Sequence, residues 1–158
     1  MALKGPRYVN ETDITFTCPT ATERGVVLVF STAGSGVALG DSAGVVDLLA
    51  PSGKVPAGML MNDVVTVDET VTHRNFYKDV MKTGERVTLM KKGRVTTNML
   101  TAGQTPTPGA TAYLDVSGKV TPTLSTTGGL VATPKVGQFV AGKDADGYVT
   151  VDVNLPVV

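Results

Sequence analysis

The sequence predicts an all-β fold, a small β-barrel or β-sandwich of about nine to twelve short antiparallel strands with an extended N-terminal arm. Val and Thr, which are abundant here, are β-branched and favour pleated strands. The 18 glycines and 9 prolines are spread along all 158 residues, as expected for many strands joined by turns. We predict an arm over residues 1–12 and a single β-domain over residues 13–158, with a basic hairpin insertion around residues 63–100.

The first part of the chain gives an arm and two strands. Residues 1–12 are polar and contain Gly5 and Pro6, which favours an arm over a core element. "DITFTC" (13–18) alternates apolar residues with threonine, the period of a strand with one buried face. Its apolar positions are Ile14, Phe16 and Cys18. "GVVLVF" (25–30) is a continuous apolar run, short enough for a strand that is buried on both faces.

The glycine-rich stretch "STAGSGVALGDSAG" (31–44) raises the possibility of a phosphate-binding loop. A dinucleotide fingerprint needs G-x-G-x-x-G followed by a helix, but the third glycine, Gly40, comes one residue late. The prolines and glycines that follow leave no room for a helix of three turns. No Gly-Lys pair is followed by Ser or Thr, as a P-loop requires. We therefore interpret these glycines as turn residues at a strand end.

The middle of the chain is the most polar part. Half of the Lys and Arg residues lie between Arg74 and Arg94. "ERVTLMKKGRVTTN" predicts a hairpin, with "KKGR" and its Gly93 as the turn. "NFYKDVMKTG" (75–84) is compatible with a short helix capped by Asn75 or with a strand; a strand or irregular structure is preferred.

The last third of the chain predicts two hairpins. "AGQTPTPGA" (102–110) is a loop, and "TAYLDVSGKVTPTL" gives strand, Ser-Gly turn and strand. "KVGQFVAGKDADGYVTVDVNLPVV" gives a strand, the turn "KDADG" and a final alternating strand. "DADG" is similar to part of a calcium loop, but Leu155 stands where that loop needs glutamate, so a hairpin turn is the better interpretation.

Composition and motifs argue against several function classes. The 14 basic and 14 acidic residues cancel, unlike the basic balance of most nucleic-acid-binding proteins. No apolar stretch is long enough for a membrane span, and the N-terminus lacks the apolar region of a signal peptide. The one cysteine, Cys18, cannot form an internal disulfide. His73, the one histidine, has no nucleophile motif beside it, so we expect no enzyme, cofactor, metal or small-molecule substrate.

Two segments resemble a known family. "GATAYLDVSGKVT" followed by "KVGQFVAGKDADGYVTVDVNLP" is similar to the C-terminal half of the capsid cement or head decoration proteins of tailed bacteriophages, and residues 7–44 resemble its early strands more loosely. Residues 63–100 have no counterpart in that pattern. The resemblance implies a β-rich protein, made in the bacterial host cytoplasm, on the outer surface of the virion. It also implies a homotrimer that bridges neighbouring major capsid proteins, with no catalytic residues.

Two segments are candidate capsid contacts, because Arg and Tyr are enriched at interfaces and mixed aromatic and charged residues suit them. The residues are Lys4, Arg7, Tyr8 and Val9 in the arm, and Arg74, Phe76, Tyr77 and Lys78 in the insertion. A disordered tail and a core aromatic pair are the respective alternatives. A β-rich binding module associated with the tail or with carbohydrate is the alternative function, although four Tyr and no Trp are few aromatic residues for it. A small hydrolase would depend on His73.

Overall fold

The computed structural model describes residues 2–31, 44–48, 54–61, 80–124 and 134–156. These residues form an all-β fold, which confirms the predicted fold class, and no helix occurs among them. A search of the same residues for a helix able to cross a membrane found none. Most of the glycine-rich stretch 31–44, residues 62–79 with His73, and the second group of candidate contacts lie outside the described residues.

The described residues contain twelve strands, numbered in chain order. They are β1 (Leu3–Asp13), β2 (Phe16–Thr17), β3 (Thr22–Glu23), β4 (Val27–Phe30), β5 (Gly44–Asp47), β6 (Pro56–Leu60), β7 (Val80–Met81), β8 (Leu89–Thr97), β9 (Thr111–Leu114), β10 (Val120–Thr121), β11 (Lys135–Ala141) and β12 (Val149–Asn154).

Ten strands form one large sheet, in the order β10-β9-β11-β12-β8-β6-β4-β5-β2, with β1 also paired to β8. Strands β3 and β7 form a separate pair. Neighbouring strands are antiparallel except β2 and β5, which run parallel. Within the described residues this order does not close on itself, so the architecture there is an open, sandwich-like sheet rather than a closed barrel.

Strand β8 is the centre of this sheet, since both of its edges are paired along its length. Thr96 pairs with Lys4 of β1 on one edge and with Thr150 of β12 on the other. Leu89, at the start of β8, pairs with β1 and with β6. Strand β1 therefore occupies one whole edge of β8, while β12 and β6 share the opposite edge.

Among the described residues, two apolar clusters form the interior, and β4 contributes to both. Val27 and Val29 belong to the larger cluster, with β8, β9, β11 and β12. Val26 and Leu28 belong to the smaller cluster, which includes Cys18. Alternate residues of a strand point to opposite faces, so β4 separates two cores. This confirms the predicted strand buried on both faces, although the strand covers Val27–Phe30 rather than residues 25–30 and its last residue, Phe30, is exposed.

The C-terminal strands also confirm the sequence analysis. Val149, Val151 and Val153 of β12 are buried, and the polar residues between them are not. Strands β9 and β10 form the predicted hairpin, with Gly118 at a positive φ of 78° in its turn. In the "KDADG" turn Gly147 donates a backbone hydrogen bond to the Asp144 carbonyl (3.1 Å).

The predicted hairpin around "KKGR" is wrong, because residues 89–97 form one continuous strand. Gly93 does not turn the chain but lies at mid-strand with φ of 151°. A Cβ built there would overlap the Tyr8 carbonyl oxygen and lie 2.8 Å from the Met90 sulfur. The glycine is thus required by the close approach of β1, a tertiary contact that local sequence does not reveal.

Three smaller differences concern the first half of the chain. The segment predicted as an arm is strand β1, paired with β8 rather than extended away from the domain. Ile14, predicted on a buried face, is 59% exposed because β1 ends at Asp13 and the chain turns before β2. Strand β6 was not predicted because it begins at Pro56, where a proline is tolerated as the first residue of a strand.

A buried hydroxyl ties the chain start to β8. Thr97 is fully buried, and its Oγ1 lies 3.1 Å from the Ala2 carbonyl and 3.4 Å from the Gly25 carbonyl, either of which can accept its proton. The same oxygen accepts a hydrogen bond from the Met99 backbone N–H at 3.0 Å. A buried polar group satisfied in this way stabilises the fold, whereas an unsatisfied one costs about 1–3 kcal/mol.

We predict that Gly93→Ala lowers the free energy of unfolding by about 2–5 kcal/mol, since positive-φ strain adds to the cost of overpacking. Gly103→Ala is the matched control, because Gly103 also has a positive φ (77°) but a Cβ there would meet nothing within 4 Å. Urea unfolding of both variants measures the difference. Equal losses in the two variants would show that close packing at Gly93 is unimportant.

Candidate functional site

Strand β1 presents a long exposed edge. In the described part of the chain it pairs with β8 alone, which leaves its outer edge without a strand. Tyr8 is 66% exposed and Val9 is 44% exposed, and Arg7 is exposed as well. The outer backbone groups of an edge strand can pair with a strand from another chain. This edge is therefore a candidate interaction site.

The two ends of β1 are fixed although its middle is exposed. Ala2 and Leu3 are buried at the start. At the other end the Lys91 ammonium donates to the Asp13 carboxylate at 2.8 Å. Thr15 adds hydrogen bonds from its backbone N–H (2.9 Å) and hydroxyl (2.6 Å) to the same carboxylate. These anchors hold β1 on β8 with little contribution from apolar burial in between.

The environment of Asp13 favours its charged form. Burial raises the pKa of this carboxyl, but the hydrogen bonds from Lys91 and Thr15 and the Lys91 charge outweigh burial and lower the pKa to about 2. The carboxylate therefore remains ionised down to acidic pH in the folded chain.

Lys4 binds back to its own chain. Its ammonium lies 3.1 Å from the Asp146 carboxylate and 3.3 Å from the Asp144 carboxylate, and 4.0 Å from the centre of the Tyr148 ring. The hydrogen bond to Asp146 is the main cause of a raised pKa for Lys4. The turn is preorganised, since Asp144 Oδ1 accepts the backbone N–H groups of Asp146 (3.0 Å) and Tyr148 (2.7 Å). This turn joins β11 to β12 and holds the start of β1 in place.

The pairing of β1 with β8 is irregular. Its register shifts between Lys4 and Tyr8, between Val9 and Glu11, and between Glu11 and Thr12. Bulges and charged residues on an edge strand hinder indiscriminate pairing with other sheets. An edge of this kind favours a partner whose strand fits its particular shape.

The outer face of the same sheet is polar. Arg94 of β8 makes a bidentate salt bridge with Asp152 of β12, in which Nε donates to Oδ1 at 2.7 Å and Nη2 donates to Oδ2 at 2.8 Å. Hydrogen bonding between the two side chains is the largest cause both of the raised pKa of Arg94 and of the lowered pKa of Asp152. Nearby, Lys92 pairs with Glu11 at 3.3 Å. The opposite charges of these two pairs thus neutralise each other.

This face has a shallow open depression of about 1140 Å³. It extends from β1 across β8, β12 and β11 to β9, and both Gly93 and Gly137 lie in its floor. Its lining residues are Tyr8, Asn10, Lys92, Gly93, Arg94, Thr111, Lys135, Gly137, Gln138, Asp152, Val153, Asn154 and Pro156. Its breadth suits an extended ligand better than a small molecule.

The structure separates the first group of predicted contact residues. Tyr8 and Val9 are exposed on β1, where a partner could reach them, but the Lys4 side chain is engaged within the chain. Sequence analysis missed the Arg94–Asp152 pair, and no local signal indicates it, because 58 residues separate the two. Among the described residues no cluster of three His, Cys, Asp or Glu side chains could hold a metal ion.

Comparison with known proteins identifies one family. The family model described as XM1 gp53 minor capsid protein matches residues 10–154, which include nearly all of the sheet. A comparison with curated proteins gave no match.

We predict that Lys4→Ala speeds amide hydrogen exchange in residues 3–9 by about twofold to fivefold, the range for loss of an exposed ion pair. Lys143→Ala is the control, since Lys143 is an exposed lysine of the same turn region. The difference between the variants is expected to shrink in high salt, which screens exposed charges. Identical exchange in both variants would mean that the Lys4 contacts do not hold β1.

A second prediction concerns acid stability. The pKa of Asp13 is lower in the folded chain than its ordinary value of 3.8, so its ionisation stabilises the fold above about pH 4 and this stabilisation is lost as the pH falls towards 2. Asp13→Asn should therefore melt below the wild type at pH 6, with a gap that narrows between pH 4 and pH 2. Thermal melts across this range measure the gap, and a gap independent of pH would contradict the assignment.

Proposed function

The chain belongs to the XM1 gp53 minor capsid protein family, and from this premise we propose that it is a cement protein on the outer surface of a tailed-phage head. Membership of a phage capsid family gives the chain a structural role in the virion. The proposal adds that the protein is made in the host cytoplasm, joins the expanded head and bridges neighbouring major capsid proteins.

The exposed edge of β1 is the observation that supports this proposal best. A segment of a major capsid protein can add a strand to this edge, so that main-chain hydrogen bonds give affinity and alternate side chains give specificity. Tyr8 and Val9 lie on this strand and are exposed. Their ordered backbone lowers the entropy cost of binding, because β1 is already held on β8 before the partner arrives.

Bridging works through several weak contacts made together. One contact of about −5 kcal/mol binds near 0.2 mM. If three copies form a homotrimer, the second and third contacts become intramolecular and raise the avidity by about 10²–10⁴. To separate neighbouring capsid proteins, several contacts must then break at once.

A group of exposed apolar side chains supports contact between copies. Phe30 is 37% exposed and packs edge-to-face on Phe16, with ring centres 5.5 Å apart. Val55 is 58% exposed and accepts the Phe30 backbone N–H at 3.0 Å. Burial of such side chains in an interface is favourable by about 25 cal/mol per Å² of apolar surface. We assign the trimer contact to this group, which lies on β4 and just before β6, three and two strands from β1.

We propose that the second group of candidate contacts, at residues 74–78, also contacts the capsid. Arg74, Phe76, Tyr77 and Lys78 combine charge with aromatic surface, a mixture that suits an interface.

Head binding by edge variants tests the proposal. Tyr8→Ala combined with Val9→Ser should reduce occupancy of heads that lack the protein by about tenfold or more, since truncation of an interface anchor costs about 2 kcal/mol. Val116→Ser is the matched control, because Val116 and Val9 are both 44% exposed. Gel densitometry of purified heads gives occupancy, and electron microscopy with and without the protein locates it.

The expected result is loss of binding in the edge variant alone, with density on the outer surface between capsid subunits. Equal occupancy for the edge and control variants would remove β1 from the contact. Density inside the head, or none on its shell, would overturn the cement role itself.

A further inference from the structure

Five polar side chains from five adjacent strands form one row across the outer face of the sheet. The pairings Tyr8 with Arg94, Arg94 with Asp152, Asp152 with Gln138 and Gln138 with Thr111 are consecutive cross-strand partners. Directly opposed residues point to the same face. Four strand spacings of about 4.8 Å make the row about 19 Å long. All five residues line the depression described above.

The centre of the row carries balanced charge. The Arg94 guanidinium and the Asp152 carboxylate neutralise each other through two hydrogen bonds of 2.7 and 2.8 Å. Both groups are planar and fixed, and each keeps capacity for further hydrogen bonds. At the centre of the row a strongly anionic or cationic group would have to compete with this pair, whereas a neutral polar group would not.

The rest of the depression offers both hydrogen-bond donors and hydrogen-bond acceptors. Asn10 and Asn154 present side-chain amides with both a donor and an acceptor, and within the described residues neither has a side-chain hydrogen bond. Gln138 donates its amide N–H to the Gly109 carbonyl at 2.8 Å, which fixes the side chain and leaves its oxygen as an acceptor. Hydroxyl groups donate and accept, so a ligand rich in hydroxyls matches this set.

The geometry points to a binding site for a neutral polysaccharide chain, a function beyond attachment to the head. Tyr8, 66% exposed at one end of the row, supplies an aromatic ring for the C–H face of a sugar unit. The paired Arg94 and Asp152, Gln138 and Thr111 then bind hydroxyls of the following units. A polypeptide suits this face less well, because a sheet face offers no free main-chain edge and the depression has few apolar side chains to hold residues of a partner.

Affinity electrophoresis tests this site. The full-length protein is run in native gels containing dextran, mannan or xylan as neutral polymers, and alginate as an anionic one. The wild type is expected to be retarded by at least one neutral polymer. Tyr8→Ala should weaken that retardation about tenfold and Gln138→Ala about threefold, since each removes one contact of the row. Thr20→Ala, at an exposed hydroxyl outside the depression, is the control and should behave as the wild type.

Unretarded migration of the wild type in every neutral gel would overturn the proposal, as would retardation by alginate alone. Retardation that Gln138→Ala leaves unchanged would place the binding elsewhere and overturn it too. Head occupancy of Gln138→Ala distinguishes this site from the cement contact, because Gln138 lies three strands from β1. If that variant loses occupancy but keeps polymer binding, the face binds capsid polypeptide and the proposal fails. Thermal melts confirm that each variant is folded.

Discussion

The backbone contact between β1 and β8 at Gly93 is the constraint on which the large sheet depends. Gly93 pairs with Val9 on one side and with Val153 on the other, so it is a link between β1 and β12. A side chain there would meet the Tyr8 carbonyl oxygen. Displacing β8 to relieve that overlap would also disturb β6, because β6 pairs with the start of β8 on the edge that β12 occupies. One residue without a side chain thus lets three strands converge on a fourth.

The side-chain contacts that stabilise β1 lie at its ends rather than along its length. Leu3 is buried in the larger core and Asp13 is bound by Lys91, whereas most side chains between them are exposed on both faces. A strand with so little apolar contact is held by backbone pairing and by a few charged side chains. Such a strand is ordered enough to present a defined surface, yet its outer edge remains open to a partner. Its charges and bulges limit the partners that can use that edge.

The fold class followed from composition, and several elements followed from local pattern. The alternation of β12 could be predicted because apolar residues alternate with polar ones along the strand. The turn at Gly147 could be predicted because glycine and aspartate favour turns. The prediction of a turn at Gly93 was wrong because a glycine among lysines has the same local sequence in a turn and in the middle of a strand. The prediction of an arm in place of strand β1 was wrong for a related reason: its partner residues lie 76 (Asp13 to Leu89) to 94 (Leu3 to Thr97) positions away, and its polar sequence carries no sign of that pairing.

The candidate site was harder to predict than the fold for the same physical reason. Tyr8 could be selected from the sequence as an exposed aromatic, but its cross-strand neighbours Arg94 and Asp152 come from distant parts of the chain. Register brings them together, and register depends on bulges that a sequence pattern does not show. A strand that pairs with the edge of β1 lies in the plane of the sheet, whereas a ligand on the face lies above that plane. A partner strand on the edge therefore leaves the face accessible. Tyr8 is the residue common to both surfaces, so the two proposals, a capsid strand on the edge and a polysaccharide on the face, predict that both ligands contact its ring.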